Sequence, residues 1–280
     1  MSSAEILVLV LGTLVFLAIG SFTCVVIDRL PVALDEPNQF GELWDSRPWG
    51  EVLGGRSRCS SCGSEVGAIN NIPLVSWLLL RGRCKTCGES IPAFHPLVEL
   101  TVPALYVVAF LVLGFEWTLI PVLWLIPVGV AVAVIDLRTL IVPTRIVWPA
   151  LFIMVGLSVV AVAPASEWDW LLSGLVGLAV FAGPLFVLWF AMPRGMGFGD
   201  VRLATLLGFA LGFYAQGSLV GALFMAVLCM GASAGLGILL GLVALGARGR
   251  KAKVPFGPAM VAGTFICIGL SQPILDAVVG

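Results

Sequence analysis

The sequence contains little charge and almost no histidine. Asp, Glu, Lys and Arg make up 11% of its 280 residues, hydrophobic residues make up 60%, and the mean hydropathy is +1.09. In soluble domains about a quarter of the residues are charged. The composition therefore excludes a soluble domain and predicts an integral membrane protein. The single histidine, His95, precedes Pro96 and has no identifiable catalytic partner. This argues against Ser/His/Asp and Cys/His catalysis.

Long apolar runs occupy most of the chain. About 20 apolar residues span the hydrocarbon core of a bilayer, and the sequence predicts an all-α polytopic protein with about eight transmembrane helices. The predicted spans are 4–27, 97–115, 118–135, 146–163, 170–191, 202–216, 218–246 and 256–276. We expect the first to be retained as a helix, because no basic segment precedes it and 28–31 lacks the small residues of a cleavage site.

The positions of Lys and Arg indicate the orientation of these helices. Fourteen of the fifteen lie in four segments that would face one side, and the fifteenth, Arg202, lies at the edge of a span. Basic residues concentrate on the cytoplasmic side of membrane proteins. The pattern therefore predicts that both termini lie outside. The predicted cytoplasmic segments are 28–96, 136–145, 192–201 and 247–255.

Four cysteines occur as two CxxC pairs in the only long polar segment. The pairs are separated by twenty-one residues, and their members are Cys59, Cys62, Cys84 and Cys87. This spacing is typical of a structural zinc site closed by four thiolates. Two redox dithiols or disulfides are the alternative, which a reducing cytoplasm disfavours. The predicted domains are a first transmembrane helix over 1–27, a cytoplasmic zinc-ribbon-like insertion over 28–96, and a seven-helix membrane core over 97–280.

Two aspartates lie beside apolar runs on the predicted cytoplasmic side. Asp136 ends one run, and Asp200 follows a segment containing Gly195, Gly197 and Gly199. Acids at membrane depth are costly and usually functional. Two neighbouring carboxylates cannot easily both ionise, so one can activate water while the other, protonated, polarises a carbonyl. The two acids therefore predict a membrane aspartyl peptidase. For the glycines before Asp200, the alternative interpretation is a flexible turn between two helices.

A second class of function stays open from the residues alone. The acids could form a proton relay in a transporter, or the chain could be a non-catalytic membrane assembly factor with a zinc-ribbon regulatory domain. Inverted repeats would favour a transporter, and no clear internal repeat is visible.

Acidic residues dominate 35–51, where Arg47 is the only basic residue. A solvated arm is the simplest interpretation, since charge runs are commonly solvated. The alternative is a surface that attracts a basic substrate peptide. The candidate substrate-binding acids are Asp35, Glu36, Glu42 and Asp45.

Ordered motifs across most of the chain resemble the bacterial type IV prepilin peptidase family. The matching segments are 20–22, 25–31, the four cysteines, 71–78, 81–84, 96–100, 135–138, 195–200 and 255–258. The chain departs from the family pattern at a few positions. Thr144 replaces an acid that commonly follows the first catalytic aspartate, Cys24 replaces a frequent Asn, and Arg202 replaces a common Lys.

The resemblance implies cleavage of the basic leader of type IV prepilins or pseudopilins, at the cytoplasmic face of the bacterial inner membrane. Asp136 and Asp200 match the two catalytic aspartates of the family. The resemblance also implies N-methylation of the new N-terminus from S-adenosylmethionine, although no Gly-rich strand–helix unit is visible. The expected partners are substrates with a basic leader and an apolar helix, and the lipid bilayer. No nucleic-acid partner is expected.

Overall fold

Helices make up most of the part of the chain that the structure describes. The computed structural model describes residues 1–30, 48–193, 196–245 and 255–278. In these ranges β-structure is limited to two isolated bridges, Arg58–Glu65 and Arg83–Ser90. The prediction of an all-α protein is therefore confirmed. The chain forms two compact units, Met1–Phe110 and Leu111–Gly280. The predicted division into 1–27, 28–96 and 97–280 stays a prediction.

The first unit contains two long apolar helices and, between them in sequence, the cysteine pairs. Its described elements are α1 (Ser3–Arg29), α2 (Trp49–Leu53), a 3₁₀ turn (Ala68–Asn71), α3 (Val75–Leu79) and α4 (Phe94–Leu113), which continues past the end of the unit. Helix α1 begins with a capping box, in which the Ser2 hydroxyl accepts from the Glu5 N–H at 3.2 Å and the Glu5 carboxylate accepts from the Ser2 N–H at 2.7 Å. These bonds satisfy N–H groups that have no partner inside a helix.

Tyr106 of α4 connects the two long helices of this unit. Its ring stacks on Phe16 of α1 with the centroids 4.6 Å apart, and its hydroxyl donates to the Val8 carbonyl at 2.9 Å. A buried tyrosine needs such a partner for its hydroxyl. The two helices also meet closer to the start of α4, where a Cβ added to Gly20 of α1 would lie 3.1 Å from the Glu99 Cα. Glycine at position 20 therefore permits close backbone approach of α1 to α4.

The second unit is a bundle built around one short helix. Its described helices are α5 (Leu119–Thr139), α6 (Thr144–Val162), α7 (Asp169–Ala191), α8 (Phe198–Phe213), α9 (Leu219–Leu245), α10 (Gly257–Gly269) and α11 (Ser271–Val278). Helix α8 is buried along nearly its whole length. A Cβ added to Gly208 would lie 2.7 Å from the Gly177 carbonyl oxygen, and one added to Gly212 would lie 2.9 Å from the Gly174 Cα. Helices α7 and α8 thus pack backbone to backbone, as small residues allow in membrane proteins.

Six helices in the described ranges are long and apolar enough to cross a membrane, which confirms an integral membrane protein. A seventh span results if α10 and α11, which are bent by 68°, count as one. The predicted number of eight is not confirmed, and the difference is α8. Its 16 residues rise about 24 Å, less than the roughly 30 Å of hydrocarbon in a bilayer.

Candidate active site and four-cysteine site

Helix α5 carries Asp136 in its last turn and directs it into the bundle. The helix ends at Thr139, and Leu140 adopts a left-handed conformation (φ 57°) while its N–H donates to the Asp136 carbonyl at 2.8 Å. Asp136 is only 4% exposed, whereas the next residue, Leu137, is 52% exposed. A buried acid in an apolar helix is costly and points to function.

Helix α8 carries Asp200 in its first turn. The helix begins at Phe198, after Gly197 in extended backbone, and a helix N-terminus favours a carboxylate. A Cβ added to Gly199 would lie only 2.8 Å from the Cβ of Val142, in the segment between α5 and α6. Glycine at position 199 therefore allows the start of α8 to approach the segment that follows Asp136.

The three predicted site-loop glycines differ in their surroundings. An added Cβ at Gly197 would come no closer than 3.8 Å to the Asp200 carboxylate, which is an ordinary contact. Gly199 has no such room, and Gly195 lies outside the described residues. Of the two glycines that the structure describes here, only Gly199 lies where a side chain would not fit.

Asp136 at the end of α5 and Asp200 at the start of α8 lie in the same unit, where Gly199, the residue before Asp200, packs against Val142 of the segment that follows α5. They come from different helices and are separated by more than sixty residues of sequence. Because two like charges at close range disfavour each other, such a pair holds a proton between its members over a range of pH. Two carboxyl groups that share one proton supply both an acid and a base for the attack of water on a carbonyl.

A backbone N–H from a third helix contacts Asp136. The N–H of Gly257, the first residue of α10, donates to Asp136 Oδ2 at 2.9 Å. From sequence, Gly257 appeared only as part of the matching segment 255–258, without a role. The signal that could have found it is a glycine followed by Pro258 at a helix start, where N–H groups lack helical partners.

Arg202 and Thr144 join the starts of α8 and α6. The Arg202 guanidinium donates to the Thr144 hydroxyl and lies over the Phe198 ring, 4.6 Å from its centroid. A threonine thus occupies the position where an acid was expected from the family pattern, and it accepts a hydrogen bond from the nearby cation.

The two cysteine pairs of the first unit form matching turns. In the first turn the Gly63 N–H donates to the Cys59 carbonyl at 2.9 Å, and in the second the Gly88 N–H donates to the Cys84 carbonyl at 2.9 Å. Gly63 and Gly88 have φ values of 69° and 75°. Only glycine adopts this conformation at no steric cost. The sequence C-x-x-C-G therefore specifies the turn twice.

The four thiols converge on one point. Their Sγ atoms all lie within 4.8 Å of one another, and those of Cys59 and Cys87 are 3.8 Å apart. Sulfur atoms around a tetrahedral zinc ion are about 3.8 Å apart, given a Zn–S bond of about 2.3 Å. The Thr86 N–H also donates to Cys84 Sγ at 3.4 Å. The cluster is therefore compatible with zinc.

The remaining predicted residues fall in two groups. His95 Nε2 lies 3.1 Å from Asp28 Oδ2, which fits a hydrogen-bonding role at the start of α4. The candidate substrate-binding acids lie outside the described residues; they are Asp35, Glu36, Glu42 and Asp45.

These features define a class: a polytopic helical membrane protein with an aspartate at the end of one bundle helix, a second at the start of another, and a cluster of four thiols. Two family models match the chain, the Bacterial Peptidase A24 N-terminal domain over residues 14–113 and the Type IV leader peptidase family over residues 123–236. The chain belongs to the type IV leader peptidase family, and the resemblance seen in the sequence is confirmed.

Several relatives that align with most of this chain carry the name prepilin leader peptidase/N-methyltransferase. A relative from Aeromonas hydrophila is 32% identical over 90% of this chain and 87% of its own length. One from Stutzerimonas stutzeri is 32% identical over 93% and 88%. One from Bacillus subtilis (strain 168) is 31% identical over 77% and 82%. No solved structure matches the chain.

Proposed function

We propose that this protein is a membrane aspartyl endopeptidase that removes the basic leader of type IV prepilins or pseudopilins, with Asp136 and Asp200 as its catalytic residues. The observation that carries the proposal is the packing of Gly199 against Val142, which brings the start of α8, with Asp200, to the segment that follows the buried Asp136 of α5. The family to which the chain belongs and the names of its relatives support the same activity.

In the reaction, the ionised carboxylate removes a proton from water, and the resulting nucleophile attacks the scissile carbonyl carbon. The protonated carboxyl donates its proton to the carbonyl oxygen. When the tetrahedral intermediate collapses, the C–N bond breaks, one hydroxyl group returns its proton to the ionised carboxylate, and the leaving amine takes the proton of the other carboxyl group. The two side chains exchange roles during the cycle, as carboxylates that share a proton do in aspartic proteases generally.

The membrane location suits a substrate whose leader is basic and whose following segment is apolar. The apolar segment stays in lipid, so the enzyme must place its acids near the membrane surface. We place the active site on the cytoplasmic side of the bacterial inner membrane, with both termini outside, because Lys and Arg concentrate in the segments predicted to be cytoplasmic. Asp35, Glu36, Glu42 and Asp45 lie in one of them, where they would attract a basic leader.

The four cysteines would hold a structural zinc ion. Four thiolates fill the tetrahedral coordination of zinc, so the ion keeps no open position for a substrate and serves to hold the two turns together. The pairing of Glu65 with Arg56 at 3.2 Å and with Arg58 at 3.0 Å spans the first turn. These two hydrogen bonds lower the pKa of Glu65 and keep it charged.

We extend the proposal to a second step, N-methylation of the new N-terminus from S-adenosylmethionine. Its support is the name of the relatives. We assign no residue of the described ranges to the methyl donor.

A cleavage assay tests both steps. We expect the purified protein in detergent to cut a peptide with a basic leader and an apolar helix at one bond, and to add one methyl group only when S-adenosylmethionine is present. Mass spectrometry of the product reads both outcomes. Failure of folded protein to cut several such peptides would contradict the peptidase assignment and favour an assembly or transport role.

A further inference from the structure

The first residue of α10 lies directly against the Asp136 carboxyl group. The Gly257 N–H donates to Asp136 Oδ2 at 2.9 Å, and both residues are buried. The first N–H groups of a helix have no partner within it, and Pro258, the next residue, has none to offer. The Asp136 carboxyl therefore satisfies the first donor of α10, across 121 residues of sequence.

The same position has no room for a side chain. A Cβ built on Gly257 would lie 2.7 Å from Oδ2, 3.3 Å from Cγ and 3.4 Å from Cβ of Asp136. The three nearest atoms thus all belong to the one aspartate. Any residue larger than glycine would force the carboxyl group to turn away or α10 to move.

We infer that Gly257 is a positioning residue for leader cleavage: its N–H and its lack of a Cβ hold the Asp136 carboxyl in place beside Asp200. This inference rests on the proposed catalytic function of the two aspartates. It gives the start of α10 a role in the reaction, although the leader peptidase model matches only residues 123–236 and ends before that helix.

The kinetic test compares Gly257→Ala with Gly269→Ala. Gly269 is the last residue of the same helix, and a Cβ added there would meet nothing within 4 Å. A small misplacement of a catalytic group costs on the order of 100-fold in rate, so we expect Gly257→Ala to lower kcat by about that factor. We expect KM to change little, because Gly257 is buried and its N–H already donates to Asp136. We expect Gly269→Ala to behave as wild type.

A double-mutant cycle tests the contact without using catalysis. We expect Gly257→Ala to lower the thermal unfolding midpoint in detergent when Asp136 is present. In an Asp136→Ala background the clashing Oδ2 and Cγ atoms are gone, and the remaining Cβ lies at 3.4 Å, an ordinary contact. The penalty should then disappear, which would show that the two positions are coupled.

The outcomes separate the inference from the function on which it rests. Wild-type kcat in Gly257→Ala, or an equal loss of the unfolding midpoint in both backgrounds, would overturn the positioning role. If Asp136→Asn kept full cleavage, the proposed catalytic pair would fail, while the cycle would still report whether Gly257 contacts Asp136.

Discussion

Replacing either aspartate of the pair by asparagine is expected to abolish leader cleavage. Asparagine keeps the size of the side chain but can neither take a proton from water nor give one to the carbonyl oxygen. General acid–base catalysis contributes about 10²- to 10⁴-fold, so we expect Asp136→Asn and Asp200→Asn each to lower kcat by about 10³-fold or more. Initial cleavage rates of a prepilin-like peptide in detergent measure this loss.

Asp276→Asn is the matched control for the change of charge. Asp276 lies exposed in α11, in the same unit as the pair, and we expect that variant to cleave as wild type does. Thermal unfolding of all three variants checks that the fold is intact. Robust cleavage by Asp136→Asn or Asp200→Asn would remove that acid from the mechanism.

Loss of one thiolate from either cysteine pair is expected to release zinc. Structural zinc in small peptides contributes on the order of 10 kcal/mol to folding, and the backbone hydrogen bonds found around Cys59 and Cys84 lie within each turn and do not join one turn to the other. Because four thiolates are needed to close the site, we expect the zinc content to fall from about one ion per chain in wild type to nearly none in Cys59→Ser and in Cys84→Ser. Metal analysis of the purified protein measures zinc, and limited proteolysis reports whether the segment between α2 and α4 has loosened.

Cys24→Ser provides the control for this pair of variants. Cys24 lies in α1, outside the cluster, and its thiol approaches the His95 carbonyl at 3.6 Å, a contact that a hydroxyl can also make. We expect this variant to retain zinc. Wild-type protein without metal, or zinc retained after loss of Cys59 or Cys84, would refute a four-thiolate zinc site.

The features that sequence alone could predict are those set by local pattern. The four cysteines were identifiable because a C-x-x-C-G turn is specified by neighbouring residues, and the structure brings all four thiols together. Asp136 and Asp200 stood out because an acid beside an apolar run is rare. Hydropathy likewise predicted helices at the right places, since apolar composition is a property of each segment.

Hydropathy could not tell which apolar helix faces lipid. The predicted span 202–216 corresponds to α8, whose apolar residues are buried against neighbouring helices. An apolar helix has the same high hydropathy whether protein or lipid surrounds it. Its close contact with α7 depends on glycines of both helices, and nothing in one helix alone indicates the partner.

The glycines of the site needed the three-dimensional contacts. From sequence, Gly197 and Gly199 appeared equivalent, yet only Gly199 of the two lies against a neighbouring segment. Gly257 contacts Asp136 across 121 residues, which no local pattern can reveal. A residue whose function lies in its N–H and in the absence of a side chain also carries no chemical signature in sequence.

The pH dependence of kcat/KM for wild-type protein tests most directly whether the two aspartates share one proton. At low pH both carboxyl groups are protonated, so neither can act as a base. At high pH both are ionised, so neither can act as an acid. Zinc content must be measured at each pH, since acid protonates thiolates and releases the metal. A bell-shaped profile with zinc retained is the predicted result. A rate that rises with pH to a plateau and stays there would contradict the shared-proton pair.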